Sequence, residues 1–160
     1  MPDVFIASDH AGFALKGALI ERVRALGYRI EDLGALSHDP GDDYPDFITP
    51  LARRVAAEPN TRGIIIGGSG QGEAMAANRV SGVRAAVFYA LRQAAALDIE
   101  SRRSEDGYDA VRLSREHNDA NVLSLGARFV SEDEAAEAVR IFLNTPFSGA
   151  ERHRRRLAKF

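Results

Sequence analysis

Three consecutive isoleucines, Ile64-Ile65-Ile66, run straight into Gly67-Gly68-Ser69-Gly70-Gln71-Gly72. A short, unbroken apolar run suits a strand covered on both faces, the condition of strands in parallel sheets. The glycines end that strand, and the stretch from Glu73 to Val80 suits a helix. One strand, one glycine-rich turn and one helix set a pattern that the remaining chain either repeats or breaks.

The pattern repeats. Val4-Phe5-Ile6-Ala7 is a buried-strand signal that ends at Ser8-Asp9-His10-Ala11-Gly12. Leu15, Leu19, Val23 and Leu26 then fall on one helical face, and Gly27 supplies the stop. Tyr28 to Leu33 reads as a second strand, and Gly34 to Asp43, with Pro40 and Gly41, as a loop. Ile48, Leu51, Ala52 and Val55 recur at helical spacing after Tyr44-Pro45-Asp46, with proline near the helix start where its missing donor costs least. Arg84 to Tyr89 predicts a fourth strand, Leu91 to about Ser101 a fourth helix, and Val122 to Leu125 a fifth strand. Ser131-x-x-Glu134 reads as a capping box before Ala135, Ala138, Val139 and Phe142, and a last helix covers about 149–160.

This alternation predicts an α/β fold: a three-layer, doubly wound sheet of five parallel strands, Rossmann- or flavodoxin-like, with a C-terminal helix. The 160 residues suit a single domain over 1–160. One stretch fits poorly. Asp98 to Glu116 is highly charged, contains Gly107 and is long for a helix-to-strand link. It extends the helix, reaches a partner subunit or forms a surface excursion, and loop-length statistics favour a solvated insertion over about 98–116.

Composition removes several functions. Lys and Arg total 21 against 23 Asp and Glu, a formal charge of −2, which argues against nucleic-acid or anionic-membrane binding. The absence of cysteine removes disulfides, thiolate metal sites and cysteine nucleophiles together. No apolar run approaches the roughly 18 residues of a membrane span, and MPDVFIASDH lacks a signal-peptide pattern, so a cytoplasmic location is the expectation.

In a doubly wound sheet a ligand sits at the carboxyl ends of the strands. Asp9-His10, the glycine cluster and Gly126-Ala127-Arg128 all fall there. Four glycines in six residues let backbone N–H groups approach an anion closely, although no P-loop lysine follows and Glu73 stands where G-x-G-x-x-G needs its last glycine. Glu73 has two readings: an acidic residue favoured by the helix dipole, or a general base beside an oxyanion site. His117 and Asn118 precede the fifth strand, where a lone polar histidine is usually a surface residue, and His38 has no companion feature. No histidine or carboxylate spacing suggests a metal site. In Glu151-Arg152-His153-Arg154-Arg155-Arg156 a helix would place Arg152 and Arg156 one turn apart, a phosphate clamp that competes with a solvated tail and a nucleic-acid arm.

Taken in order, Ala7-Ser8-Asp9-His10-Ala11-Gly12, Asp43-Tyr44-Pro45-Asp46, the run from Gly67 to Asn78, Arg115-Glu116-His117-Asn118-Asp119, Leu125-Gly126-Ala127-Arg128 and Arg152-His153 resemble the ribose-5-phosphate isomerase B family. That family also includes allose- and galactose-6-phosphate isomerases. The likeness covers nearly the whole chain apart from 98–114. It implies a cofactor-free aldose–ketose isomerase of the pentose phosphate pathway, acting on a sugar phosphate. It also implies a homodimer or homotetramer whose active site is shared between subunits. One branch of the family uses a cysteine just before the glycine loop, where this chain has Gly67; the other uses a glutamate after it, where Glu73 stands.

The resemblance assigns Glu73 as the base between C2 and C1, Ser69 as a proton relay, and the N–H groups of Gly68, Gly70 and Gly72 as enediolate donors. His117 and Asp9 would open the sugar ring. Arg128, Arg152 and Arg156 would hold the phosphate, with His10 and His153 nearby, while Tyr44 and Asn118 contact sugar hydroxyls. The expected reaction is D-ribose 5-phosphate to D-ribulose 5-phosphate. A hexose 6-phosphate isomerase and a non-catalytic sugar-phosphate binding module are the alternatives.

Overall fold

The computed structural model describes residues 3–97, 101–104 and 106–160. Five strands, β1 (Val4–Ser8), β2 (Ile30–Asp32), β3 (Arg62–Gly67), β4 (Ala85–Phe88) and β5 (Val122–Gly126), form one sheet in the order β2-β1-β3-β5-β4. Every neighbouring pair is parallel. The helices are α1 (Phe13–Ala25), α2 (Pro45–Ala57), α3 (Gln71–Ala77), α4 (Asp109–Asn118), α5 (Glu132–Asn144) and α6 (Glu151–Leu157). A 3-10 turn, His10–Gly12, leads into α1.

Strand alternation divides the core between two layers. Phe5, Ala7, Ile65 and Val122 pack with Ile48, Leu51 and Val55 of α2 and Ala77 of α3. Val4, Ile6, Ile64, Ile66, Leu123 and Leu125 pack on the other side with α1, α4 and α5. The isoleucine run is therefore covered on both faces, as an internal parallel strand requires. The register sets Gly67 beside Gly126 and Ser8 beside Ile66, so three turns leave the sheet at one rim. The capping box of α5 forms as expected: Ser131 Oγ accepts from Glu134 N at 3.2 Å, and Glu134 Oε2 accepts from Ser131 N at 2.7 Å. Among the described residues no helix is long and apolar enough to cross a membrane.

The fourth helix is not where local propensity pointed. Residues 91–97 are not helical, and 98–100 lie outside the described residues. Leu91 and Leu97, the two large apolar residues of that segment, are 42% and 52% exposed, so a helix there has no core face to bury. The helix is α4, inside the charged stretch, where Val111, Ser114 and Arg115 are buried. The segment 98–116 is therefore not one solvated insertion. Its second half is the crossover helix between β4 and β5, and Arg102 from its first half pairs with Glu116 at 2.7 Å. His117 accordingly lies in the last turn of a helix and not in a loop.

Arg115 secures that last turn. It is 2% exposed, and its guanidinium donates to Asp119 Oδ1 at 2.8 Å, Ala120 O at 2.6 Å and Thr145 O at 3.1 Å, above the Phe142 ring. It thereby ties the end of α4 to the end of α5. Arg115→Ala strips two carbonyls of their donor and is expected to cost about 2–4 kcal/mol of stability. The measurement is the urea midpoint at constant m. A loss below about 0.5 kcal/mol would show that the turn holds without the arginine.

Candidate active site

The residues singled out from sequence form two groups at opposite rims of the sheet. At the carboxyl rim, Gly70 takes a left-handed conformation (φ 75°) that starts α3 and turns the Glu73 side chain back over the end of β3. The carboxyl group packs so closely on Gly67 that a Cβ there would overlap it. A side chain at 67 would push the Glu73 carboxyl group out of this position. The Tyr44 hydroxyl lies against Gly72 and the Arg128 guanidinium over Gly68, leaving little room for side chains at either glycine. Ser69 Oγ accepts from Gln71 N at 3.3 Å, which leaves its own proton available to donate.

Glu73 is 4% exposed. Burial pushes its pKa above the ordinary glutamate range, and the charge of Asp9 adds to the rise. Hydrogen bonds from its own N–H and from Gly70 N–H oppose it. The upward shift makes the ionised group a stronger base than an ordinary glutamate.

Asp9 is buried and caps the 3-10 turn, its Oδ1 accepting from Ala11 N at 3.0 Å and Gly12 N at 3.2 Å. His10 beside it meets Asp42, a residue that the sequence left unremarked. Asp42 Oδ1 accepts from His10 Nδ1 at 2.6 Å and from His10 N at 3.1 Å. Among the described residues Asp9, His10 and Asp42 are the three whose ligand-type atoms come within 4.8 Å of one another. They form an imidazole–carboxylate pair beside a helix cap. His38, far from isolated, sets its ring edge-on to both His10 and Phe13. Ser124 was also missed: its buried Oγ donates to Gly70 O at 2.7 Å and pins the loop. A lone polar residue within Val122-Leu123-Ser124-Leu125 was the available signal for it, whereas no spacing announces Asp42.

The second group lies at the amino rim. Helix α4 runs against the strands and delivers His117 and Asn118 to the start of β5. The His117 ring stacks on that of His153 from α6, centroids 4.2 Å apart and 16° from parallel. Helix α6 includes both Arg152 and Arg156, so the two lie one turn apart on one face. Between the rims stands the length of β5, five residues or on the order of 15 Å. One chain therefore does not bring His117, Asn118, Arg152, His153 and Arg156 to Glu73.

The model of the ribose/galactose isomerase family matches residues 4–103 and 98–160. The chain belongs to that family. It is accordingly an isomerase, in agreement with the resemblance seen in the sequence. The ribose-5-phosphate isomerase B of Mycobacterium tuberculosis is 40% identical over 154 residues, spanning 96% of this chain and 85% of that protein. The probable ribose-5-phosphate isomerase B of Mycoplasma pneumoniae is 39% identical, spanning 98% of this chain and 91% of that one. The crystal structure of ribose-5-phosphate isomerase B from Mycoplasma genitalium with bound ribulose-5-phosphate superposes with a TM-score of 0.83 at 38% identity, covering 98% of this chain and 91% of that one.

The environment of Glu73 has a consequence for stability. Its folded pKa lies above the unfolded one, so the folded state holds this proton more firmly. That stabilisation is complete below the unfolded value and is lost as pH rises through the folded one. Glu73→Gln is therefore expected to be at least as stable as the parent at pH 8, with its relative advantage shrinking towards pH 4. Denaturant midpoints across that range measure it. An advantage independent of pH would show that ionisation of Glu73 carries no folding cost.

Proposed function

We propose that this protein interconverts D-ribose 5-phosphate and D-ribulose 5-phosphate through an enediolate, with Glu73 as the base. The observation that carries the reading is the buried Glu73 carboxyl group, seated on Gly67 within the glycine loop. Family membership supplies the substrate class. In the open-chain aldose Glu73 removes the C2 proton; the C–H electrons form the C1–C2 double bond, and the carbonyl electrons move onto O1. Ser69 passes the O2 proton to O1, and Glu73 returns its proton to C1, leaving the ketone at C2. The N–H groups of Gly68 and Gly72 face the developing negative charge. The raised Glu73 pKa makes its carboxylate a stronger base for the removal step.

Ring opening needs an acid and a base, and the division into two rims bears on where they come from. His117 serves with Asp9 only when a second copy brings its amino rim to the carboxyl rim of the first. The same docking delivers Asn118, Arg152, His153 and Arg156 to the substrate held by Tyr44, Arg128 and His10. The active site is thus shared between two subunits of a homodimer or of a larger homo-oligomer. Arg128 from one subunit and the α6 pair from the other close on the phosphate, each guanidinium offering paired donors.

Incubation of the protein with D-ribose 5-phosphate in D₂O, followed by NMR, tests the reaction. Deuterium at the exchangeable carbon and formation of ribulose 5-phosphate are expected, and Glu73→Gln is expected to lose at least about 10³-fold in kcat with KM little changed. No exchange with ribose 5-phosphate but turnover of allose 6-phosphate would move the assignment to a hexose phosphate. Inertness toward both would overturn the isomerase chemistry in favour of a binding module.

Complementation tests the sharing. Glu73→Gln and His117→Asn chains, each inactive alone, are expected to regain up to about a quarter of parental activity when co-expressed, because half the dimers then carry one intact site of two. No recovery would place both residues in a site made by one chain.

A further inference from the structure

We propose that Asp42 is a positioning residue of this site: its carboxylate fixes the His10 imidazole with Nδ1 turned inward and offers Nε2–H to the anionic end of the substrate. The inference rests on the sugar-phosphate reading above and deepens it. The geometry is that of a buried carboxylate behind an accessible ring. The Asp42 side chain is 8% exposed and that of His10 33%, with Oδ1 and Nδ1 2.6 Å apart. The same oxygen accepts the His10 backbone N–H at 3.1 Å, so Asp42 grips both ends of the residue and sets its rotamer. Its other oxygen, Oδ2, is buried without a hydrogen bond. A carboxylate so withdrawn from water draws its compensation from a cation, and the cationic group in contact with it is the His10 ring.

The surroundings of His10 are mixed in sign. Asp9 precedes it, Asp42 and the edge of His38 reach it from the loop after β2, and Arg128 faces it from the turn after β5. The Asp42 hydrogen bond is the strongest influence and lifts the His10 pKa above the ordinary histidine value, with help from Asp9; partial burial and Arg128 oppose it. The charged form therefore persists to higher pH, and the donor it provides is lost as pH rises through the raised value. A charged imidazole beside Arg128 extends the phosphate-binding surface of this rim. The neutral ring would bind a dianionic phosphate less well, so the effect belongs in KM rather than in proton transfer.

Two measurements on the full chain test this. NMR titration of the His10 ring in the parent and in Asp42→Asn reports the link without recourse to turnover. The midpoint is expected to fall in the variant, and the affinity for inorganic phosphate to fall with it. Kinetics with D-ribose 5-phosphate are expected to show KM raised about three- to tenfold and kcat within about twofold. The pH above which KM climbs moves down. In a His10→Asn background, Asp42→Asn should then add nothing to KM, a double-mutant cycle that remains readable if either single variant is less stable.

An unchanged His10 midpoint, or KM effects of the two substitutions that simply add, would overturn the proposal and leave Asp42 a loop anchor. A purely structural Asp42 would lower thermal stability without moving the midpoint or separating KM from kcat. If the parent proves inert toward sugar phosphates while midpoint and phosphate affinity still fall in Asp42→Asn, the isomerase reading fails and the role of Asp42 stands.

Discussion

Because all five strands of the sheet run the same way, its two rims are chemically unlike, and almost everything else in the molecule follows from that polarity. Turns at the carboxyl rim lead from strands into helices, so backbone N–H groups, the Asp9 cap and the Gly67–Gly72 loop gather there. Helices ending at the amino rim deliver a different set, His117 and Asn118 from α4, with His153 stacked against them. No local rearrangement carries a residue from one rim to the other, because the strand between them is a rigid spacer paired on both sides. On the reading proposed here, chemistry needing both sets is possible only between copies of the chain.

Within the carboxyl rim the decisive constraint is volume. The Glu73 carboxyl group lies where a side chain at position 67 would have to stand. A side chain at 67 would displace that carboxyl group, and glycine at 67 is what leaves it room. The same crowding buries Glu73 and displaces its pKa in the direction that makes its carboxylate a stronger base. Ser124 contributes from the neighbouring strand by pinning Gly70 O, so the loop is held from β5 as well as from β3.

The polar partners of the two rims are organised on one plan. Each has a buried charged residue that secures its surroundings: Asp42 bonds to His10, and Arg115, two positions before His117 on α4, bonds to Asp119, Ala120 and Thr145 at the end of that helix. Arg115 acts through the backbone turn that it staples, Asp42 through direct contact with the ring. Buried charge is costly to place, and the ion pairs and hydrogen bonds that each residue makes offset that cost.

Local pattern carries far in this chain. Ile64-Ile65-Ile66, Val4 to Ala7 and the Ser131 capping box were legible because each is decided by neighbours within a few residues, and the ordered motifs were specific enough to name a family. The helix at 91–101 was misread for the converse reason: Leu91 to Leu97 has helical propensity but nothing to pack against, while Asp109 to Asn118 looks like a charged excursion until Val111 and Arg115 meet the core. Asp42 was invisible because its partner lies 32 positions away across a loop whose path no periodicity encodes. The sequence alone determined the alternating layers, the glycine loop and the place of Glu73 just after it, all properties of short windows. Only the tertiary structure decided that Asp42 would meet His10, that Arg115 would tie α4 to α5 and that the candidate site is split between two rims, because strand order, register and packing bring together residues that no local spacing relates.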